Sequence, residues 1–332
     1  MNSKIIIFLI AICISSGCNG QTKTTPMESK NNNPLQCDPE NGLCEIPGAT
    51  ATGGKAELQA SEKPVRIVYY TDPICSACWA IEPQLRKLKA EYGAYLHIDY
   101  RMGGLLPDWS YNGGGISKPS DVAHHWEELG EYYAMPIDGG VWLEDPLDSS
   151  YPPSIAFKAA QIQNEDKAVN FLRILREMLF LGKKNIAKWE NIQLAATQSG
   201  LDTYKLKEDY DGEARRLFQE DLDIARKMGV RGFPTLFFTD ADNNRIVAYG
   251  IRTYSEYEAV LLRIFPDAKK KTIDISDNMS LFKLYPTLTV KEYAVLSDIS
   301  FREAETILKK LSVEGKIIET QINSGLIYSI NT

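Results

Sequence analysis

Two cysteines separated by two small residues, Cys75-Ser76-Ala77-Cys78, are the part of this 332-residue sequence best suited to chemistry. A helix begun at Cys75 would aim its unpaired first-turn N–H groups and positive dipole end at that sulfur, stabilising a thiolate. The thiolate is the nucleophile in thiol–disulfide exchange. Cys78 then lies one turn on, within reach of a mixed disulfide on Cys75. Cys75 is therefore read as the attacking thiol and Cys78 as the resolving one. A structural disulfide, or half of a four-cysteine zinc site, would use the same residues. The zinc site would also need Cys37 and Cys44, which lie on a polar stretch with six residues between them. A pair placed after a strand and at the head of a helix favours redox chemistry, with no metal and no organic cofactor.

Two further features bear on that chemistry. Gly232-Phe233-Pro234-Thr235 puts a proline at the head of a strand, where an ordinary trans proline opening an edge strand is the simplest reading. Cys37-Asp38-Pro39-Glu40-Asn41-Gly42-Leu43-Cys44 contains turn-forming residues, so its sulfurs can meet in a short loop. The pair reads either as an auxiliary redox couple exchanging with Cys75–Cys78 or as a static clip. His124-His125 are neighbours on a helix and point different ways, so they read as surface or packing residues. Trp109, Trp126 and Trp142 read as core, with a peptide-binding groove as the alternative.

The elements that must hold the cysteines follow from periodicity. Val65 to Tyr70 is β-branched and aromatic and reads as a buried strand, ended by Thr71-Asp72-Pro73. Cys75 to about Tyr92 reads as one helix, and Leu96 to Arg101 as a second strand in a parallel pair. Helices are expected at Val122 to Tyr133, Asp166 to Phe180, Trp189 to Ser199 and Tyr204 to Met228. Phe233 to Phe238 and Arg245 to Gly250 form a hairpin, and Tyr254 to Ile264 a closing helix. After the lysine-rich linker Lys269-Lys270-Lys271, Thr289 to Leu296, Ser300 to Glu314 and a two-stranded ribbon follow in winged-helix order.

The stretch Tyr70-Thr71-Asp72-Pro73-Ile74-Cys75-Ser76-Ala77-Cys78-Trp79-Ala80-Ile81-Glu82-Pro83 resembles the active-site region of the DsbA-like family, in its FrnE and YjbH (Spx adapter) branch. Ser154 to Ala160, Leu179 to Ile186 and the Pro234 strand extend the resemblance over about residues 65 to 265. It implies an α/β thioredoxin-like fold with a helical insertion. It also implies that the Phe233–Pro234 bond is cis and lies beside the redox pair, where Phe233 offers its backbone to an extended substrate. Pro83 would occupy the usual kink of the active-site helix, with Trp79 supporting the site. Characterised YjbH proteins are cytoplasmic adapters that present a regulator to the ClpXP protease.

The N-terminus departs from that role. Lys4 precedes the apolar run Ile5 to Ile14, which is shorter than the roughly 20 residues of a membrane span. Ser15-Ser16-Gly17-Cys18 follows, a layout like a secretory signal with a lipobox-like end and Cys18 as the lipidated residue. The expected organisation is a signal at 1–18, a flexible tether at 19–63, and a DsbA-like domain at 64–266 whose insertion spans about 103–228. A small winged-helix-like domain covers 283–330. A net charge of −7, with six acidic and six basic residues from Lys283 onward, argues against nucleic acid as a partner. Expected partners are cysteine-containing envelope proteins and a thiol redox partner, met at a membrane-anchored site in the periplasm or cell envelope. The last domain is a candidate dimerisation surface.

Overall fold

The computed structural model of the protein describes residues 44–45, 63–110 and 118–331. The signal-like segment, Cys18 and Cys37 lie outside the described residues.

In chain order the elements are β1 (Cys44–Glu45), β2 (Val65–Thr71), α1 (Ser76–Ala80), α2 (Glu82–Tyr92), β3 (Leu96–Met102), α3 (Ser120–Tyr133) and α4 (Val141–Glu144). Next come α5 (Tyr151–Gln163), α6 (Glu165–Phe180), α7 (Trp189–Gln198), α8 (Thr203–Asp211), α9 (Glu213–Lys227), β4 (Gly232–Phe233), β5 (Thr235–Thr239), β6 (Arg245–Tyr249) and α10 (Tyr254–Ile264). The last domain holds α11 (Ser280–Leu284), β7 (Thr287–Thr289), α12 (Val290–Ser297), α13 (Phe301–Val313), β8 (Ile317–Ile322) and β9 (Gly325–Ile330).

The central sheet runs β3-β2-β5-β6. β2 and β3 are parallel, β5 runs antiparallel to β2, and β6 runs antiparallel to β5. This is a thioredoxin-like sheet. Every residue of β2 is buried, which explains its unbroken apolar and aromatic run. The helical insertion, α3 to α9, lies between β3 and the β5–β6 hairpin in sequence.

The structure adds to or departs from the sequence reading at three places. The Tyr204 to Met228 helix is broken at Gly212, where φ −120° and ψ −108° turn the chain and α9 starts afresh. A glycine inside a helix forfeits about 1 kcal/mol relative to alanine, so the break falls where helix is cheapest to lose. α5 was invisible to periodicity because Pro152-Pro153 look like breakers. They sit in its first turn, where no intrahelical N–H is needed. Within the span read as a tether, Cys44–Glu45 is a strand that pairs antiparallel with Gly232–Phe233.

The C-terminal domain has its own core around Leu281, Phe282, Leu288, Leu308 and Tyr328. Its sheet runs β7-β9-β8. Sequence reading missed α11 and β7, which are short and carry no periodic signal. The domain docks on α2 and α6. Tyr285 donates to the Arg86 carbonyl (2.9 Å), Arg86 donates to the Thr287 carbonyl (2.8 Å), and Lys87 reaches the Val295 carbonyl (2.9 Å). The lysine-rich linker is strapped down as well. Lys271 N–H donates to the Glu91 carbonyl (2.9 Å), and Lys270 pairs with Glu91 (3.1 Å).

Candidate active site

β2 delivers the chain to a buried loop that sets the cysteines. The Asp72 carboxylate accepts N–H groups from Ile74 (3.0 Å) and Leu105 (2.7 Å) and the Ser150 hydroxyl (2.9 Å). The Cys75 N–H donates to the Asp72 carbonyl at 3.2 Å, so this loop fixes where α1 begins. Burial pushes the Asp72 carboxyl up to about 6, against the opposing pull of those hydrogen bonds and Arg176.

The sign of the resulting pH dependence is definite. Between its ordinary value near 3.8 and about 6, folded Asp72 holds a proton that the unfolded chain has lost. Stability therefore falls as pH rises through that window, by on the order of 3 kcal/mol from this group. Urea unfolding of Asp72→Asn at pH 4, 5, 6 and 7 should lack that fall. Parallel wild-type and variant profiles would refute the assignment.

Cys75 caps α1. Its Sγ accepts the Cys78 N–H at 3.3 Å and lies 3.9 Å from the Phe233 carbonyl oxygen. The Phe233–Pro234 peptide is cis. Both cysteines are free thiols and fully buried. Burial pushes the Cys75 thiol up, helped by its hydrogen bond to Cys78. Burial also acts to raise Cys78, but the Cys75 hydrogen bond, the Arg176 guanidinium and the Thr71 and Tyr69 hydroxyls outweigh it and hold Cys78 below its ordinary value. These surroundings favour the thiolate at Cys78, whereas the helix dipole favours it at Cys75. α1 is only five residues long, so its dipole is small, and Arg176, which also acts on Cys75, is among the groups that lower Cys78.

Arg176 is the residue that sequence reading missed. Fully buried on α6, it donates to the Thr71 hydroxyl (2.6 Å) and the Asp72 carbonyl (3.2 Å) and pairs with Glu82. A signal existed: Leu172, Arg176 and Phe180 recur at four-residue spacing, which puts an arginine on an apolar helix face.

The other expected residues fall as follows. The active-site helix is divided at Ile81, with Pro83 in the first turn of α2. Trp79 donates to the Pro136 carbonyl (3.0 Å), stacks on Phe180 and lies under Arg173. Trp126 and Trp142 are buried edge-to-face, with half-buried Trp109 against Trp142, so they pack the insertion and form no open groove. Exposed His124 pairs with Glu128, and His97 sits on β3 beside Glu165. Among the described residues no cluster of three metal-ligating side chains occurs.

Gly103 makes room for Phe233. A Cβ there would stand 1.8 Å from the Phe233 Cζ. Gly103→Ala is expected to displace the ring, with a cost of about 1–3 kcal/mol for overpacking. It should also disturb the Cys75–Phe233 contact. A urea midpoint unchanged from wild type would contradict this.

A buried Cys-x-x-Cys pair at a helix start, next to a cis-proline strand of a four-stranded sheet, marks a thioredoxin-fold protein of the DsbA-like class. A family model described as thioredoxin matches residues 69–260, more than half of the chain. The ClpXP adapter protein SpxH of Halalkalibacterium halodurans is 36% identical over 293 residues, covering 86% of this chain and 94% of that protein. The SpxH of Bacillus subtilis is 31% identical over 80% of this chain and 89% of its own length. A solved structure from Nitrosomonas europaea, described as a candidate protein disulfide isomerase, superposes with a TM-score of 0.53 at 19% identity. It covers 62% of this chain and 97% of that one. The chain belongs to the thioredoxin family, in the DsbA-like branch that contains the SpxH adapters.

Proposed function

We propose that this protein exchanges disulfides with cysteine-containing protein clients, with Cys75 bonding to the client and Cys78 resolving the mixed disulfide. The observation that carries this reading is the Cys75 sulfur, 3.9 Å from the carbonyl of the residue before Pro234 and 3.3 Å from the Cys78 N–H. In the oxidised centre, an incoming client thiolate attacks Cys75 and expels Cys78. A leaving thiol of lowered pKa departs faster, and Arg176 favours the Cys78 thiolate. Wild-type turnover of insulin disulfides, measured alongside the reduction potential of the pair, tests the proposal. Absence of turnover with either dithiothreitol or glutathione as the donor would overturn it.

A second reading is that the chain is an adapter that hands a bound client to a protease. The names of its curated relatives favour it, at 36% identity over 94% of one such protein. Compartment separates the two readings, because a cytoplasmic regulator and protease cannot be met from the envelope. The proposal therefore includes export through residues 1–18 and a lipid on Cys18, with clients in the envelope. Metabolic labelling with a fatty acid, lost in Cys18→Ser, is the expected result. An unlabelled, cytoplasmic chain would transfer the weight to the adapter reading. Self-association through the C-terminal domain belongs to the same proposal, and sedimentation of the whole chain reads it out.

A further inference from the structure

Trp79 directly follows Cys78 on α1, and two of the contacts that fix its buried ring lead to the last domain. Its Nε1–H donates to the Pro136 carbonyl at 3.0 Å. The last domain grips the residues on both sides of that proline. The Thr289 hydroxyl donates to the Met135 sulfur at 3.4 Å. Ser324 Oγ accepts the Ile137 N–H (2.6 Å) and donates to the Ile137 carbonyl (2.7 Å). The second contact is Arg173, 4.4 Å from the Trp79 ring centroid and bonded twice to Glu292. Ser324 lies in the turn between β8 and β9, and its neighbour Gly325 permits the approach: a Cβ there would stand 3.2 Å from the Pro136 Cβ.

α1 has five residues, all buried, and starts from Cys75 as its cap. A helix that short has little stability of its own, so its place is set by what its side chains touch. Where Cys78 stands relative to Cys75 therefore depends on the anchorage of Trp79. In proximity-driven chemistry a misplacement of about 1 Å, caused far from the reacting atoms, can slow a step about 100-fold.

Resting on the exchange reading above, we infer that Ser324 is a positioning residue of the redox centre: it clamps the Pro136-Ile137 segment, which holds Trp79 and so keeps Cys78 where it resolves the mixed disulfide. In that step the Cys78 thiolate attacks the Cys75 sulfur. The Cys75–Cys78 bond forms, the bond between Cys75 and the client breaks, and the client sulfur leaves as a thiolate. Two electrons have then passed from the cysteine pair to the client disulfide, with no outside reagent. The earlier attack by Cys75 takes place on the Phe233 side of that sulfur and does not call on Trp79. Ser324 should therefore govern resolution and leave attack alone.

The test uses the full chain with insulin as the client, in a single turnover. In Ser324→Ala both bonds to Ile137 are lost. Release of insulin thiol from the mixed disulfide is expected to slow about tenfold, the scale of one or two hydrogen bonds. Appearance of the mixed disulfide, timed in Cys78→Ser with and without Ser324→Ala, should keep the same rate. Trp79→Phe removes the donor to Pro136 and should slow release in the same way. Because both residues act through one segment, the double variant should be no slower than the slower single one. Release at the wild-type rate in Ser324→Ala, equal slowing of both steps, or additive slowing in the double variant would overturn the inference. Should Ser324→Ala undock the last domain, seen as rapid tryptic cleavage at Lys269-Lys270-Lys271, Trp79→Phe decides alone: slowing confined to release supports the inference and slowing of both steps ends it. The parent reading fails separately, by an absence of insulin turnover in wild type. In that event the equilibrium of the Cys75–Cys78 disulfide with glutathione, read on the tryptic peptide that carries both cysteines, settles the positioning role. Ser324→Ala lowers the effective concentration of Cys78 at Cys75, so the disulfide should lose about tenfold in stability; an unchanged equilibrium would overturn the role of Ser324.

Discussion

With serine in place of Cys75, insulin-disulfide turnover is expected to fall on the order of 1000-fold or more, because a nucleophile that acts as a unit with its partner is lost outright. A serine hydroxyl is not ionised at neutral pH and can form no mixed disulfide. Cys78→Ser should behave differently. Cys75 still attacks, but nothing resolves the product, so single-turnover bonding survives and multiple turnover does not. The fold should tolerate both changes, since each replaces a buried sulfur by a slightly smaller oxygen. The alternative adapter role makes the opposite forecast for Cys75→Ser: client capture measured by pull-down stays at the wild-type level while turnover is lost. Equal turnover in wild type and Cys75→Ser would remove the cysteine pair from the mechanism altogether.

How far these residues were legible in the sequence depended on whether their signal is local. The strand before Cys75, the β5–β6 hairpin and the amphipathic α6 announce themselves through composition and spacing within a dozen residues. Pro234 could be connected with Cys75 only through family resemblance, because Cys75 meets Phe233, the residue before it, across 158 positions of chain. Arg176 was missed for the same reason. Its partners, Thr71, Asp72 and Glu82, lie about a hundred positions away. A dipole argument for Cys75 considers α1 alone, whereas burial and Arg176 act on the thiol pair from other elements. β1 was illegible because a two-residue strand has no periodicity; its order comes from the edge it pairs with.

The C-terminal domain shows how the site is tied to the rest of the molecule. Arg176 pairs with Glu82 beside Cys78. Glu82 lies one turn from Arg86, and Arg86 reaches Glu292 of α12 at 3.1 Å. Arg173, which packs over the Trp79 ring, closes the array with two bonds to Glu292, at 2.7 and 3.1 Å. The last domain is therefore docked through charges that begin at the redox pair. A change of charge on Cys78 acts on the first member of that array.

Glu292→Gln is the sharpest test of the docking. Glu292 is fully buried, and it also closes the capping box of α12 by accepting the Thr289 N–H at 2.8 Å. Glutamine keeps the size and the cap but leaves Arg173 and Arg86 facing a neutral group. Breaking a buried ion pair by removing one partner costs about 3–5 kcal/mol, since the remaining charge stays desolvated. Arg173 retains Glu177 at 2.6 Å, which places the expected loss toward the lower end. The pH dependence has the sign opposite to that of Asp72. Although burial acts to raise it, the two arginines hold the Glu292 carboxyl below its ordinary 4.5. Its contribution is present above that value and disappears as pH falls through the depressed folded one. The variant should therefore lose stability at pH 7 and converge with wild type in acid. Undocking should also speed tryptic cleavage at Lys269-Lys270-Lys271, a linker now held against Glu91. A urea midpoint within about 0.5 kcal/mol of wild type at pH 7, the scatter of ordinary surface substitutions, would mean that apolar packing alone holds the two domains together.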